Sequence, residues 1–317
     1  PPRRNAAPST IPGRRHHHEV LPAVGHVHRG NAARRAGNGA RPELLARVLD
    51  LAPEPLERAL RACVEGNVLV PAGEDGYAFR HALLAEAVYD DLLPGERVRL
   101  HSAFAAALSA GGVGGTAAEL ARHALAAHEL PTAVRASIQG GDEAMSVGGP
   151  DEAARHYETA LGLLNEDVRA ALAADDAPVD TVDLVVRAST AAVAAGHVYR
   201  AVALLQDQLG VLPADVDPQD RARLLHALAS AAVDSETSFD VLAVTTEAMH
   251  LVPADPPTPL RAQVLGVHAR ANSDRLRDED ASRWAEKALK MAEQLGLADV
   301  AADAAMTLSR LDERSAR

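Results

Sequence analysis

Residues 150–160 read Pro-Asp-Glu-Ala-Ala-Arg-His-Tyr-Glu-Thr-Ala, and the spacing of Ala153, Tyr157 and Ala160 within them decides the fold. A small residue, a large one four positions on and a small one three further share one helix face. That arrangement lets a second helix cross closely. The triplet returns along the chain. Ala201 and Leu205 fill its first two positions with Gln208 in the third, Thr245 and Ala248 fill the second and third, and Ala281, Ala285 and Ala288 fill all three. The third positions, 160, 208, 248 and 288, lie 48, 40 and 40 residues apart. Pro213 and Pro253 close two of the units. Self-similarity at such a period marks stacked helical hairpins.

Each triplet helix follows another amphipathic helix, predicted over about 132–147, 180–196, 218–233 and 258–273, with Gly149 and Gly196 at the turns. Ala298 to about Asp312 reads as a further leading helix without its partner, so Val300, Met306 and Leu308 are expected to be partly exposed. Gly140-Gly141, inside the first leading helix, costs on the order of 1 kcal/mol per glycine against alanine. This repeat is expected to be kinked or locally loose.

Composition narrows the function classes. The chain has 317 residues, 47% of them hydrophobic, so it can bury more than one core. Aromatics are only 3%, which suits helices packed through small side chains. The single cysteine, Cys63, excludes an internal disulfide and any cysteine-based metal centre. No apolar run reaches membrane-spanning length and no signal-peptide core follows the N-terminus, so the expected location is cytoplasmic. The net charge is −12, but residues 1–41 carry eight arginines against one acid, Glu19. The remainder holds 24 basic and 43 acidic side chains, a body that repels phosphate backbones. Nucleic acid is therefore not expected as a direct partner. The only lysines, Lys287 and Lys290, follow no glycine-rich loop, so there is no Walker A motif.

Residues 1–41 show neither helical nor strand periodicity. His16, His17 and His18 and the pair His26 and His28 are metal-ligand types, but nothing in the sequence orients them. The composition is what a GC-rich gene yields when read out of frame, and little packed structure is expected there.

From Pro42 the pattern changes. Helices are predicted from Pro42 to Leu51 and from Glu54 to Glu65, the second with Leu56, Ala59, Leu60 and Cys63 on one face. Val68-Leu69-Val70 and Tyr77-Ala78-Phe79-Arg80 flank Gly73-Glu74-Asp75-Gly76, a hairpin signal. Helices follow over His81–Leu92 and Gly95–Ala110. This is the order of a winged helix-turn-helix. Its 54–65 helix carries Glu54, Glu57 and Glu65 against Arg58 and Arg61, which suits packing on protein rather than reading DNA. The glycine-rich stretch 111–115 reads as a linker, and 116–317 as the repeat array. The expected fold class is all-α: a winged-helix-like domain over 42–110, then a tetratricopeptide-like solenoid.

Two stretches resemble known families. The triplets with their closing prolines, and Gly196-x-x-Tyr199, resemble tetratricopeptide units, although the period is longer than usual. Phe79-Arg-His-Ala-Leu-Leu-Ala-Glu-Ala-Val-Tyr89-Asp-Asp-Leu-Leu-Pro94-Gly-Glu-Arg97 with Leu100-His101 resembles the winged-helix segment of large ATP-binding regulators of the LuxR type, relatives of the maltose-regulon activator. The resemblance covers residues 42–317. It implies an ATPase domain before the winged helix and a DNA-binding helix-turn-helix after the array, neither of which this sequence contains. Arg80-His81-Ala82-Leu83-Leu84 is also similar to the switch-ATPase signature whose histidine touches a bound nucleotide. The resemblance thus makes His81 a nucleotide-sensing residue, with ATP or ADP supplied only by a separate ATPase domain. By itself, a histidine here also serves to satisfy its own helix end.

No nucleophile elbow, zinc-binding helix pair or cofactor loop is present, and His123 and His128, five apart, share no face. No enzymatic activity and no cofactor are expected. Two classes remain: the coupling and effector-binding region of a transcriptional regulator, or a freestanding tetratricopeptide adaptor. In either, leading helices line a groove for a protein or peptide effector. The groove candidates are Arg187, Thr190, Arg223, His226, Gln263 and Arg270. The arginines either anchor a partner with acidic or aromatic groups or pair with neighbouring acids.

Overall fold

A computed structural model describes residues 19–24, 40–73, 76–213, 215–233, 235 and 239–316. The chain divides into two compact units, Pro1–Gly140 and Gly141–Arg317. The architecture is helical, with one two-stranded sheet among the described residues. No described helix is long and apolar enough to cross a membrane.

In the first unit, residues 19–24 form a helical segment, α1, followed by α2 (Pro42–Leu49), α3 (Pro53–Glu65), β1 (Leu69–Ala72), β2 (Gly76–Phe79), α4 (Ala82–Asp90), α5 (Pro94–Ser109) and α6 (Ala117–Ala126). Proline opens α2, α3 and α5, where its missing N–H loses no helical bond. Thr116 and Glu119 close a reciprocal cap on α6. Leu44, Leu45, Leu56, Leu60, Cys63, Leu69, Phe79 and Phe104 form the core. The predicted α3 face, Leu56, Ala59, Leu60 and Cys63, is buried in it.

The N-terminal expectation is corrected in part. Val20, Ala23 and Val24 of α1 are fully buried in this core, because an apolar Val-x-x-Ala-Val stripe sits inside the arginine-rich stretch. His16, His17, His18, His26 and His28 lie outside the described residues.

The strands pair antiparallel, Leu69 with Phe79 and Pro71 with Tyr77. Tyr77 spends both its backbone groups on the other side, exchanging hydrogen bonds with Ala40 at 2.7 and 3.0 Å. Pro71 therefore sits opposite a residue that asks nothing of it, and its missing N–H falls on the outer edge. In the glycine stretch, Arg47 donates to the carbonyl of Gly111 at 2.6 Å.

α7 (Leu130–Ser146) runs across the division between the units. The second unit continues with α8 (Pro150–Leu163), α9 (Glu166–Ala174), α10 (Thr181–Ala194), α11 (Val198–Val211), α12 (Pro218–Ala232), α13 (Val241–Leu251), α14 (Pro259–Asp274), α15 (Asp278–Leu295) and α16 (Ala298–Ser315). Each helix from α10 onward packs on the next, and α10, α12, α14 and α16 also pack one on another. These are stacked helical hairpins, with α10, α12 and α14 leading. The triplets lie at the crossings: Ala153, Ala160, Ala201, Leu205, Ala248, Ala281, Ala285 and Ala288 are fully buried. Only Gln208 of the triplets is half-buried. Helix α9, capped by Asn165 and unforeseen, accounts for the longer first interval. On α16, Met306 is exposed and Leu308 half-buried as expected, but Val300 is buried against α14 and α15.

The glycine pair is corrected more sharply. The helix passes through it unbroken. A Cβ on Gly141 would lie 2.4 Å from Cε1 of Tyr157, so the missing side chain is the space that the buried ring occupies. Gly141→Ala is therefore expected to lose about 1–3 kcal/mol from overpacking rather than gain helix propensity. Urea denaturation checks the sign. At the turns, Gly196 has φ of 83° and Leu276 has φ of 56°. The Leu276 backbone closes the end of α14, with Leu276 N–H donating to Ser273 and Arg277 N–H to Asn272, both at 3.0 Å. Its side chain is exposed and gains no packing for the left-handed strain. Leu276→Gly is expected to stabilise the protein by about 0.5–1 kcal/mol, read as a raised melting temperature.

Candidate functional site

The predicted groove residues fall on the leading helices, and the structure joins two of them through shared carboxylates. Arg187 on α10 donates to Asp183 one turn back, at 2.6 Å, and to Asp142 on α7, at 3.1 Å. Arg223 on α12 donates to Asp180 at 2.9 Å, Asp220 at 3.1 Å and Asp183 at 3.3 Å. Asp183 thus serves both arginines, and a continuous charge ladder crosses α7, α10 and α12. Its far end is Tyr157, whose hydroxyl donates to Asp142 at 2.7 Å. Burial first, and then that hydrogen bond, raise the tyrosine pKa, so it stays a donor.

The arginines are therefore engaged by acids rather than left as open forks. Arg270 on α14 lies 3.6 Å from Asp303 on α16, which ties these two helices. Thr190 is exposed one turn beyond Arg187. Gln263 is half-buried, with no side-chain hydrogen-bond partner among the described residues. His226 turns to Ser230 on its own helix at 3.3 Å, and burial lowers its pKa to about 4. It is a neutral imidazole, so it offers no cation to a partner. In the first unit, His81 precedes α4 in extended conformation, exposed, with no side-chain cap bond to its helix. Among the described residues, no three His, Cys, Asp or Glu side chains converge on a metal-sized site.

One polar cluster was not foreseen. His101 on α5 and His123 on α6 are both buried, with their Nδ1 atoms 3.0 Å apart. Arg122 lies 2.7 Å from Nε2 of His123, and Tyr89 on α4 lies 3.4 Å from Nε2 of His101. The donors fix the protons. Guanidinium only donates, so His123 accepts at Nε2 and carries its proton on Nδ1. That proton is given to Nδ1 of His101, whose own proton then faces Tyr89. The ring of Phe104 stacks on His123 at 4.5 Å. Burial, and then the charge of Arg122, lower the His101 pKa to about 4. The residues come from three helices, and no short spacing announces them. The only sign is a histidine on the apolar face of each of two helices, beside Phe104 and Ala124. Another buried histidine, His268, meets Thr245 at 2.8 Å and has its pKa lowered to about 4, mainly by burial.

Searches against protein-family models and against curated proteins return no match. Among solved structures the chain is similar to a signal transduction ATPase with numerous domains, with a tetratricopeptide repeat sensor, from Pyrococcus horikoshii. The identity is 11%, the TM-score 0.43, and the alignment covers 94% of this chain and 47% of that one. The chain thus spans about half the length of that structure.

The lowered histidines set a pH dependence. The unfolded chain takes up protons as pH falls below about 6.5, while the folded state keeps these rings neutral until about 4. Stability is therefore full above that upper value and is expected to fall steadily between the two. His101→Gln should flatten the slope of melting temperature against pH in this window, whatever its effect at neutral pH.

Proposed function

We propose that the chain is the coupling and effector-binding region of an ATP-binding transcriptional regulator of the LuxR type, with the repeat array as the surface that takes up a protein or peptide effector. The observation that carries this reading is the charge ladder on the leading helices. Asp142, Arg187, Asp183, Arg223, Asp180 and Asp220 form one polar run across α7, α10 and α12. Most of these side chains are a third or more exposed, where such pairs add little to stability. Thr190 stands beside the run and Gln263 lies on a later leading helix, both with polar groups to offer. Stacked hairpins cannot bury their faces unit by unit and present an extended surface, which suits a segment of another protein.

His81 supports the regulator over the freestanding adaptor. Its side chain is exposed and unbonded at a helix N-terminus, where the helix dipole favours an anion. In this reading it faces a nucleotide held by a separate ATPase domain. This chain itself has neither catalysis nor a cofactor, binds no nucleic acid directly, enters no membrane and works in the cytoplasm.

Two variants test the effector surface by pull-down with quantitative mass spectrometry. Arg187→Glu, Arg223→Glu and Arg270→Glu combined reverses the cations, with the melting temperature measured as a folding control. Thr190→Trp leaves every ladder contact in place and fills the adjacent surface. Both are expected to lose the same set of captured proteins by tenfold or more. If both keep the wild-type set, the array is not the effector surface.

A further inference from the structure

Helix α4 is the least buried helix of the first unit, and its composition is apolar. Ala85 is its one fully buried residue. Leu83 is 76% exposed and Leu84 37%, with Ala82 and Ala87 exposed beside them and Leu93 at 67% just past the end. Leu83 and Leu84 are neighbours on this nine-residue helix, with the exposed carboxylate Glu86 beside them, and so are not scattered singles.

The charges at its ends run against its own dipole. Arg80 and His81 precede the helix, and no acid lies in its first turn. Asp90 and Asp91 end it, and no base lies in its last turn. A helix N-terminus favours negative charge and a C-terminus positive charge, so both ends are mismatched. Its first backbone N–H groups also have no side-chain cap. Asp90 has a partial remedy in Arg97, 3.8 Å away. Arg80, His81 and Asp91 have no side-chain partner among the described residues.

An antiparallel copy of the same helix corrects both ends at once. It sets Asp91 of one chain against Arg80 of the other, and the reverse at the far end, in the state in which His81 faces no nucleotide. Leu84 then meets Ala87 across the centre, since positions 80 and 91, and 84 and 87, are symmetric about the same midpoint. A two-fold interface requires this self-complementarity, residue i meeting j and j meeting i. We propose that α4 is a homodimerisation surface, occupied by α4 of a second chain in antiparallel orientation. One short helix a side buries less than the roughly 1,200 Å2 of a standard interface, so the dimer is weak and concentration-dependent.

Sedimentation equilibrium of the full chain, from low micromolar to near-millimolar protein, tests this. The expected weight-average mass rises from 33.2 kDa towards twice that value and no further. Leu83→Glu is expected to weaken association by about tenfold or more, without unfolding, because the residue is exposed. Arg80→Asp alone should weaken it, and Arg80→Asp with Asp91→Arg should restore it, because the swap regenerates both ion pairs across the two-fold axis. Mass fixed at 33.2 kDa throughout overturns the proposal and leaves α4 to some other protein. Growth beyond the dimer, association indifferent to Leu83→Glu, or a double swap no better than the single change would each overturn it too.

Discussion

The structure depends on how closely two helices can approach. With alanine at the crossing, backbones come within reach of one another's dispersion forces, and little side-chain entropy is lost in the process. Ala153, Ala160, Ala201, Ala248, Ala281, Ala285 and Ala288 hold those positions with no exposed surface. Gly141 carries the same logic one step further, giving up even its Cβ so that the ring of Tyr157 can lie against α7. This explains how a chain with few aromatic residues holds together. Its core is made of many shallow contacts, and each tolerates little added volume. The alanine positions at these crossings are therefore sensitive to gains in side-chain size.

A second layer of order is electrostatic. The leading helices are tied edge to edge by arginines that each serve acids on two helices, as Arg223 does on α10 and α12 and Arg187 on α7 and α10. Around Arg187 and Arg223 the aspartates outnumber the arginines, so the ladder leaves residual negative charge on the surface. Salt will screen these exposed pairs. Register between neighbouring hairpins is set by apolar packing and only refined by charge.

Much of this was legible in the residues. Periodicity along one helix is a local property, so the hairpins, the buried α3 face and the triplet positions follow from spacing alone. What escaped reading is non-local. Asp142 and Arg187 lie 45 positions apart, and His101 and His123 lie 22 apart on different helices, so no periodic rule pairs them. Arg187 and Arg223 were recognisable as polar residues of the leading helices, yet their aspartate partners came into view only with neighbouring helices in place. Helix α9 hid because its Val168 and Leu172 make only one turn of apolar spacing. The segment 19–24 hid because its apolar stripe is flanked by arginine, histidine and glycine, so composition averaged over the region masked it.

The small sheet illustrates a different kind of economy. A two-stranded ribbon normally presents two open margins, each able to template the addition of a foreign strand. Here Ala40 closes one margin through Tyr77, and Pro71 leaves the other without a donor at its midpoint. The ribbon thus resists growing into a larger β assembly while the chain is still emerging or transiently open. Among the described residues this hairpin is the natural seed for β misassembly, and it is blocked on both sides.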